Sequence, residues 1–177
     1  MPRYAVLLRA VNVGGANKLP MAALRDALTK AGYRDVATYI QSGNVALSSP
    51  SKSDADVARG VAKVIAKSFR LEVGVVARTH AELAALAHPF GDAAETKRVH
   101  VVFFSAAPTK AAIATLDPAR SPGDVFVVRG AEMYLHTPDG MGKSKITMDW
   151  LERRLGVTGT ARNWNTVEKL VELSREA

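Results

Sequence analysis

Val36-Ala37-Thr38-Tyr39-Ile40, Ser42-Gly43-Asn44 and Val45-Ala46-Leu47-Ser48 read in succession as a strand, a tight turn and a returning strand. Upstream, Met21, Leu24 and Leu28 recur at helical spacing, with Pro20 as first helical residue and Gly32 as terminator. A glycine-containing loop from Asn12 to Leu19 precedes that helix, and Tyr4 to Val11 reads as a buried strand. Downstream, Ser53 and Asp56 have capping-box spacing. They open a helix whose apolar stripe is Val57, Val61, Val64, Ile65 and Phe69, and Glu72 to Arg78 is a further strand. The order is βαββαβ, the ferredoxin-like pattern.

The second half reads as a divergent echo. Thr79 and Glu82 form another capping-box signature, and His88-Pro89 ends a short helix because the residue before proline disfavours helical backbone. Gly91 to Thr96 reads as a linker. Arg98 to Ser105 is an apolar strand, Thr109 to Leu116 a helix, and Asp124–Arg129 and Glu132–Thr137 flank the hairpin signal Gly130-Ala131. Helices are expected at about 144–155 and 165–175, giving βαββαα. The expected fold class is α+β, with two ferredoxin-like lobes (βαββαβ then βαββαα) packed into one compact body. The boundaries are 1–78 for a basic N-terminal lobe, 79–97 for the short helix and linker, and 98–177 for the C-terminal lobe.

The chain has 177 residues, 47% of them hydrophobic, enough for a sizeable core. It lacks cysteine, which excludes disulfides, thiolate metal sites and cysteine nucleophiles. Met1-Pro2-Arg3-Tyr4 runs straight into a strand with no apolar stretch ending in a small-residue cleavage site, and no run approaches a membrane span. A cytoplasmic location without membrane association is expected. The formal charge of +7 is unevenly placed. Residues 1–78 hold 12 Lys/Arg against 5 Asp/Glu, whereas residues 79–177 hold 12 against 12. The excess points to an anionic partner for the first half.

Three loops carry the site expectations. Arg9, Asn12, Gly14, Gly15, Asn17 and Lys18 form a strand–loop–helix entry in which glycines let N–H groups converge and cations supply counter-charge. The plain alternative is a connection whose asparagines satisfy backbone groups. Tyr39, Gln41 and Asn44 surround the first hairpin, with Tyr39 and Gln41 expected on one strand face and Ile40 on the other. Gly142-Lys143-Ser144-Lys145 resembles a P-loop end, but Thr137 stands where the first glycine is required, so a nucleotide-hydrolase P-loop is rejected. Lys143, Ser144 and Lys145 remain as an anion nest, with Ser144 also a candidate N-cap. Arg162 and Asn163 lack an evident structural duty, Trp164 reads as a packing anchor, and Asn165 with Glu168 fits a capping box for the last helix. His136, near a strand end, is the candidate acid or base among four histidines that form no metal spacing. Arg59, Lys63, Lys67 and Arg70 share one helix face opposite the apolar stripe.

Leu7-Leu8-Arg9-Ala10-Val11-Asn12-Val13-Gly14-Gly15-Ala16-Asn17-Lys18 with Met21 closely resembles the opening of a bacterial family known as a domain of unknown function, DUF1697. Thr38-Tyr39-Ile40-Gln41-Ser42-Gly43-Asn44-Val45, Gly142-Lys143-Ser144-Lys145 and Arg162-Asn163-Trp164-Asn165-Thr166 match in the family's order, across nearly the whole chain. The sequence departs at Ala10-Val11, where the family tends to have Gly-Ile, and at Met148, where it tends to have Asn. The resemblance implies a compact α+β fold with ferredoxin-like elements and transfers neither an activity nor a catalytic residue.

The functional expectation is binding of a phosphate-bearing partner, nucleic acid or a phosphorylated small molecule such as a nucleotide, without a cofactor or metal. The alternatives are an enzyme acting on a small phosphorylated or carboxylated metabolite through His136 or Tyr39, and a structural or protein-interaction module.

Overall fold

The computed structural model describes residues 1–176. The chain divides into two compact units, one of Met1–Leu86 with the segment from Lys169 onward, the other of Ala87–Glu168. The first unit contains β1 (Arg3–Leu8), α1 (Met21–Lys30), β2 (Arg34–Tyr39), β3 (Asn44–Ser48), α2 (Asp54–Phe69), β4 (Val75–Thr79) and α3 (His80–Ala84). Its four-stranded antiparallel sheet has the order β2-β3-β1-β4, the ferredoxin-like arrangement.

Alternation along the strands explains the core. Tyr4, Val6 and Leu8 of β1 pack with Val45, Leu47 and Ala77 against Met21, Leu24 and Leu28 of α1 and Val57, Val61 and Ile65 of α2. Complete burial of a side chain such as Val57, Val61 or Ile65 is worth roughly 1.5–3 kcal/mol. Ser53 caps α2 by accepting from the Asp56 N–H, and Thr79 with Glu82 forms the full capping box of α3. On the other face of the sheet, Ala5, Leu7, Ala46 and Val76 are also buried.

The second unit contains β5 (Val99–Phe104), α4 (Lys110–Ala114), β6 (Val125–Arg129), β7 (Glu132–His136), α5 (Met148–Leu155) and β8 (Gly159–Asn163), and α6 (Trp164–Leu173) begins in it, its residues from Lys169 on counting with the first unit. Its sheet order, β6-β7-β5-β8, repeats the first. The order is therefore βαββαβ followed by a helix, not βαββαα: β8 lies in the connection between the two helices expected at about 144–155 and 165–175. Gly159-Thr160-Ala161-Arg162-Asn163 has no apolar run. It is a strand because β5 offers a free edge, pairing from His100↔Asn163 to Phe104↔Gly159. Gly159 sits where a Cβ would lie 3.0 Å from Met148 Sδ and 3.1 Å from Phe104 Cδ1, so a larger residue there would press on both side chains.

The echo between the halves is closer than the sequence implied. In β4, Ala77-Arg78-Thr79 ends in the residue that caps α3, and Arg78 Nη1 donates to the Ala77 carbonyl at 2.9 Å. In β8, Ala161-Arg162-Asn163 does the same: Asn163 Oδ1 accepts from the Thr166 N–H at 2.9 Å, and Arg162 Nη1 donates to the Ala161 carbonyl at 2.8 Å. Asn163, not Asn165, thus opens the last helix, which starts one residue earlier than expected.

Candidate functional site

Three connections of the first unit meet at one end of its sheet. β1 runs toward this end and leaves it through residues 9–20; β2 and β3 turn there through residues 40–43; α2 delivers residues 70–74 to it. Backbone bonds tie them together: Leu8 N–H donates to Gly43 O at 2.9 Å, and Arg9 N–H to Gly74 O at 2.8 Å. Asn12 is the central tie. Its Nδ2 donates to Leu19 O at 2.8 Å and to Gln41 O at 2.6 Å, and its Oδ1 accepts from the Leu19 N–H at 2.8 Å.

The other asparagines do similar work. Asn17 Nδ2 donates to Ala10 O at 3.1 Å. Buried Asn44 donates through Nδ2 to Tyr39 O at 3.2 Å and Ser42 Oγ at 3.1 Å. The backbone-satisfying role weighed from sequence for the loop's asparagines is therefore what Asn12 and Asn17 perform, and it leaves Arg9, Gly14, Gly15 and Lys18 as the loop's remaining candidates. Gly14, Gly15 and Lys18 are exposed and Arg9 is half-buried.

The loop is built largely from left-handed backbone: Ala10, Asn12, Gly14, Gly15 and Asn17 all have φ between 48° and 78°. Asparagine and glycine tolerate this; alanine does not. The departure at position 10 therefore has a physical meaning, since the family's glycine is the residue that φ 56° favours. Ala10→Gly is expected to raise stability by about 1 kcal/mol, which a thermal melt would record as roughly 3 °C.

The hairpin differs from expectation. β2 ends at Tyr39, and Ile40 is not on an opposing strand face but in the turn, with φ 50° and 52% exposure. Tyr39 is half-buried and Gln41 exposed. Alongside, α2 carries Arg59, Lys63 and Lys67 on its exposed face, and Arg70 follows at its left-handed C-cap. Arg59 pairs with Asp56, whereas Lys63, Lys67, Arg70 and Lys18 meet no carboxylate among the described residues. Charge follows this unit: it holds 14 Lys/Arg against 8 Asp/Glu, and the second holds 10 against 9.

At the opposite end of the same sheet lies a cavity of about 510 Å³ lined by Arg3, Arg34, Asp35, Ser48 and Arg175, among others. The Arg3 guanidinium is a structural tie, donating to Asp35 O, Ser48 Oγ and Leu173 O.

The remaining expected residues lie in the second unit. Lys143 is exposed in a 3-10 turn, Met141–Lys143, entered through Gly140 at φ 93°. Ser144 does not cap α5; its Oγ accepts from Ile146 N–H at 3.1 Å, and Thr147 is the N-cap. The Lys145 backbone is held by Ser121 Oγ and by Arg120 Nε, whose guanidinium also covers the Trp150 ring at 4.5 Å. Arg162 is buried, and burial pushes its guanidinium down to about 10. His136 stacks on Phe90 with ring centroids 5.4 Å apart, Phe90 on His88 at 5.9 Å, and His88 meets Trp164 edge-on at 4.8 Å. Sequence reading missed this aromatic chain, because nothing in the spacing of residues 88, 90, 136 and 164 links them. Burial holds the imidazole of half-buried His100 below its usual range, and its Nδ1 has no hydrogen-bond partner among the described residues.

Among the described residues, no group of three or more His, Asp or Glu is arranged to hold a metal ion, and no helix is long and apolar enough to cross a membrane.

Paired ferredoxin-like units with a basic loop end define the class. A family model described as "Protein of unknown function (DUF1697)" matches residues 1–134. The chain belongs to this family. It is also similar in structure to the conserved bacterial protein SP0830 from Streptococcus pneumoniae, with 23% sequence identity, a TM-score of 0.75 and coverage of 98% of this chain and 99% of that one. That likeness speaks to the fold alone. Comparison with curated proteins gives no match.

Proposed function

We propose that this protein binds a phosphate-bearing ligand, nucleic acid or nucleotide, through the basic loop end of its first unit and the exposed face of α2. One observation carries the reading. The topology gathers Arg9, Lys18 and Arg70 at one end of the sheet, in line with Lys67, Lys63 and Arg59 along α2. Residues four apart on a helix are separated by about 6 Å of rise, so the ridge offers evenly spaced cations to a linear polyanion. Gly14 and Gly15 are exposed, and their backbone is of the kind whose N–H groups suit phosphate oxygens. Binding across the sheet, as RNA-recognition domains do, is disfavoured because Ala5, Leu7, Ala46 and Val76 are buried and none is aromatic.

The test is anisotropy of labelled oligonucleotides at several salt concentrations. Wild type is expected to bind with a steep salt dependence. The triple variant Arg59→Ala/Lys63→Ala/Lys67→Ala is expected to shallow the slope of log K against log salt by about 2–3 and to weaken binding across all sequences. Lys18→Ala should weaken it further. Absence of wild-type binding at low salt would overturn the proposal for nucleic acid.

A further inference from the structure

Ile40 occupies a position that its own chemistry opposes. Its φ of 50° lies in the left-handed region, where a β-branched side chain is a genuine outlier. It is 52% exposed and does not join the core of its unit. Asparagine or glycine would relieve the backbone and suit the solvent, so the local fold gains nothing from isoleucine. Strain and exposure held together in a turn are the signature of a contact made with something else.

The neighbourhood says what that partner is. Val13, 60% exposed, is the second apolar tip at the same end, in the loop that Asn12 Nδ2 ties to Gln41 O, next to Ile40. Arg9, Lys18 and Arg70 lie at the same end of the sheet, and the cations continue away from it along α2 as a line, not a ring. A flat anionic surface would meet this end alone and leave the cations along α2 unused. A strand can lie along the ridge and reach the tips with its bases.

We infer that Ile40 and Val13 contact unpaired bases, making this end of the molecule selective for single-stranded over duplex nucleic acid. The inference rests on the phosphate-binding reading above. In a duplex the apolar faces of the bases are stacked away, whereas in a single strand they are open to apolar side chains.

The experiment compares labelled single-stranded and duplex oligonucleotides of one sequence, with wild type, Ile40→Asn and Ile40→Leu. Wild type should prefer the single strand. Ile40→Asn should lose about fivefold in single-strand affinity, keep its duplex affinity, and melt roughly 3 °C higher because the strain is relieved. Ile40→Leu, which keeps the apolar contact, should retain the preference. Equal wild-type affinity for both forms, or unchanged single-strand affinity in Ile40→Asn, would overturn the inference while leaving the phosphate-binding reading standing. No binding to either form would overturn that reading itself. Sedimentation with phosphatidylserine vesicles, lost in Ile40→Asn, would overturn the inference in favour of a membrane surface.

Discussion

Gly43→Ala is expected to destabilise the protein by about 3–4 kcal/mol, seen as a fall in Tm of roughly 10 °C. Two costs combine. The backbone at Gly43 has φ 86°, where any L side chain is strained. The added Cβ would also lie 2.6 Å from Val11 Cγ2 and 2.7 Å from Leu8 Cβ. Both neighbours are completely buried, so neither can retreat into solvent. The hairpin cannot lift away either without breaking the bond from Leu8 N–H to Gly43 O. Gly91→Ala is the matched control: φ is 79°, but nothing lies within 4 Å of the new Cβ, so only the backbone cost of about 1 kcal/mol should appear. The double variant Gly43→Ala/Val11→Ala should be less unstable than the sum of its parts, because one clash is removed. If Gly43→Ala melted no lower than Gly91→Ala, the packing argument would fail.

The second large effect is expected for Asn12→Ala, at about 3 kcal/mol. Truncation removes both donations from Nδ2 and the acceptor for Leu19 N–H. Leu19 is completely buried, so water does not readily replace the bonds lost there. Position 12 is also left-handed at φ 54°, which asparagine accepts more readily than alanine. Asn12→Asp separates the contributions: it keeps an acceptor for Leu19 N–H and tolerates the backbone, but turns an oxygen toward the carbonyls of Leu19 and Gln41. Hydrogen exchange should show the Leu19 amide deprotected in Asn12→Ala and still protected in Asn12→Asp. Equal protection in wild type and Asn12→Ala would show that this side chain does not hold the loop. Because the tie joins loop 9–20 to hairpin 40–43, Asn12→Ala should also weaken any ligand bound at that end.

Much of the first unit was legible because its signals are local. Met21, Leu24 and Leu28 declare a helix by spacing, Ser53 and Thr79 declare helix starts by their own hydrogen-bonding chemistry, and Ser42-Gly43-Asn44 declares a turn. The cap at Asn163 was misplaced to Asn165 because both sites offer the same side chain at an acceptable distance, and only the backbone path chooses between them. Strand β8 was invisible for a different reason. Its residues have little intrinsic strand preference, and the free edge of β5, sixty residues earlier in the chain, makes them a strand.

The candidate site divides along the same line. From the amino acids alone came the family, the α+β class, the charge confined to the first half and the loops worth inspecting, since composition and short-range pattern carry all of these. Tertiary structure decided what each residue does there. It committed Asn12, Asn17 and Asn44 to the backbone, buried Arg162, made Gly43 a packing requirement as well as a turn residue, and left Ile40 and Val13 exposed at the end of the sheet that also carries Arg9, Lys18 and Arg70. These outcomes depend on which strand lies beside which. That is set by burial and hydrogen bonding summed over distant parts of the chain, and no local window of sequence contains it.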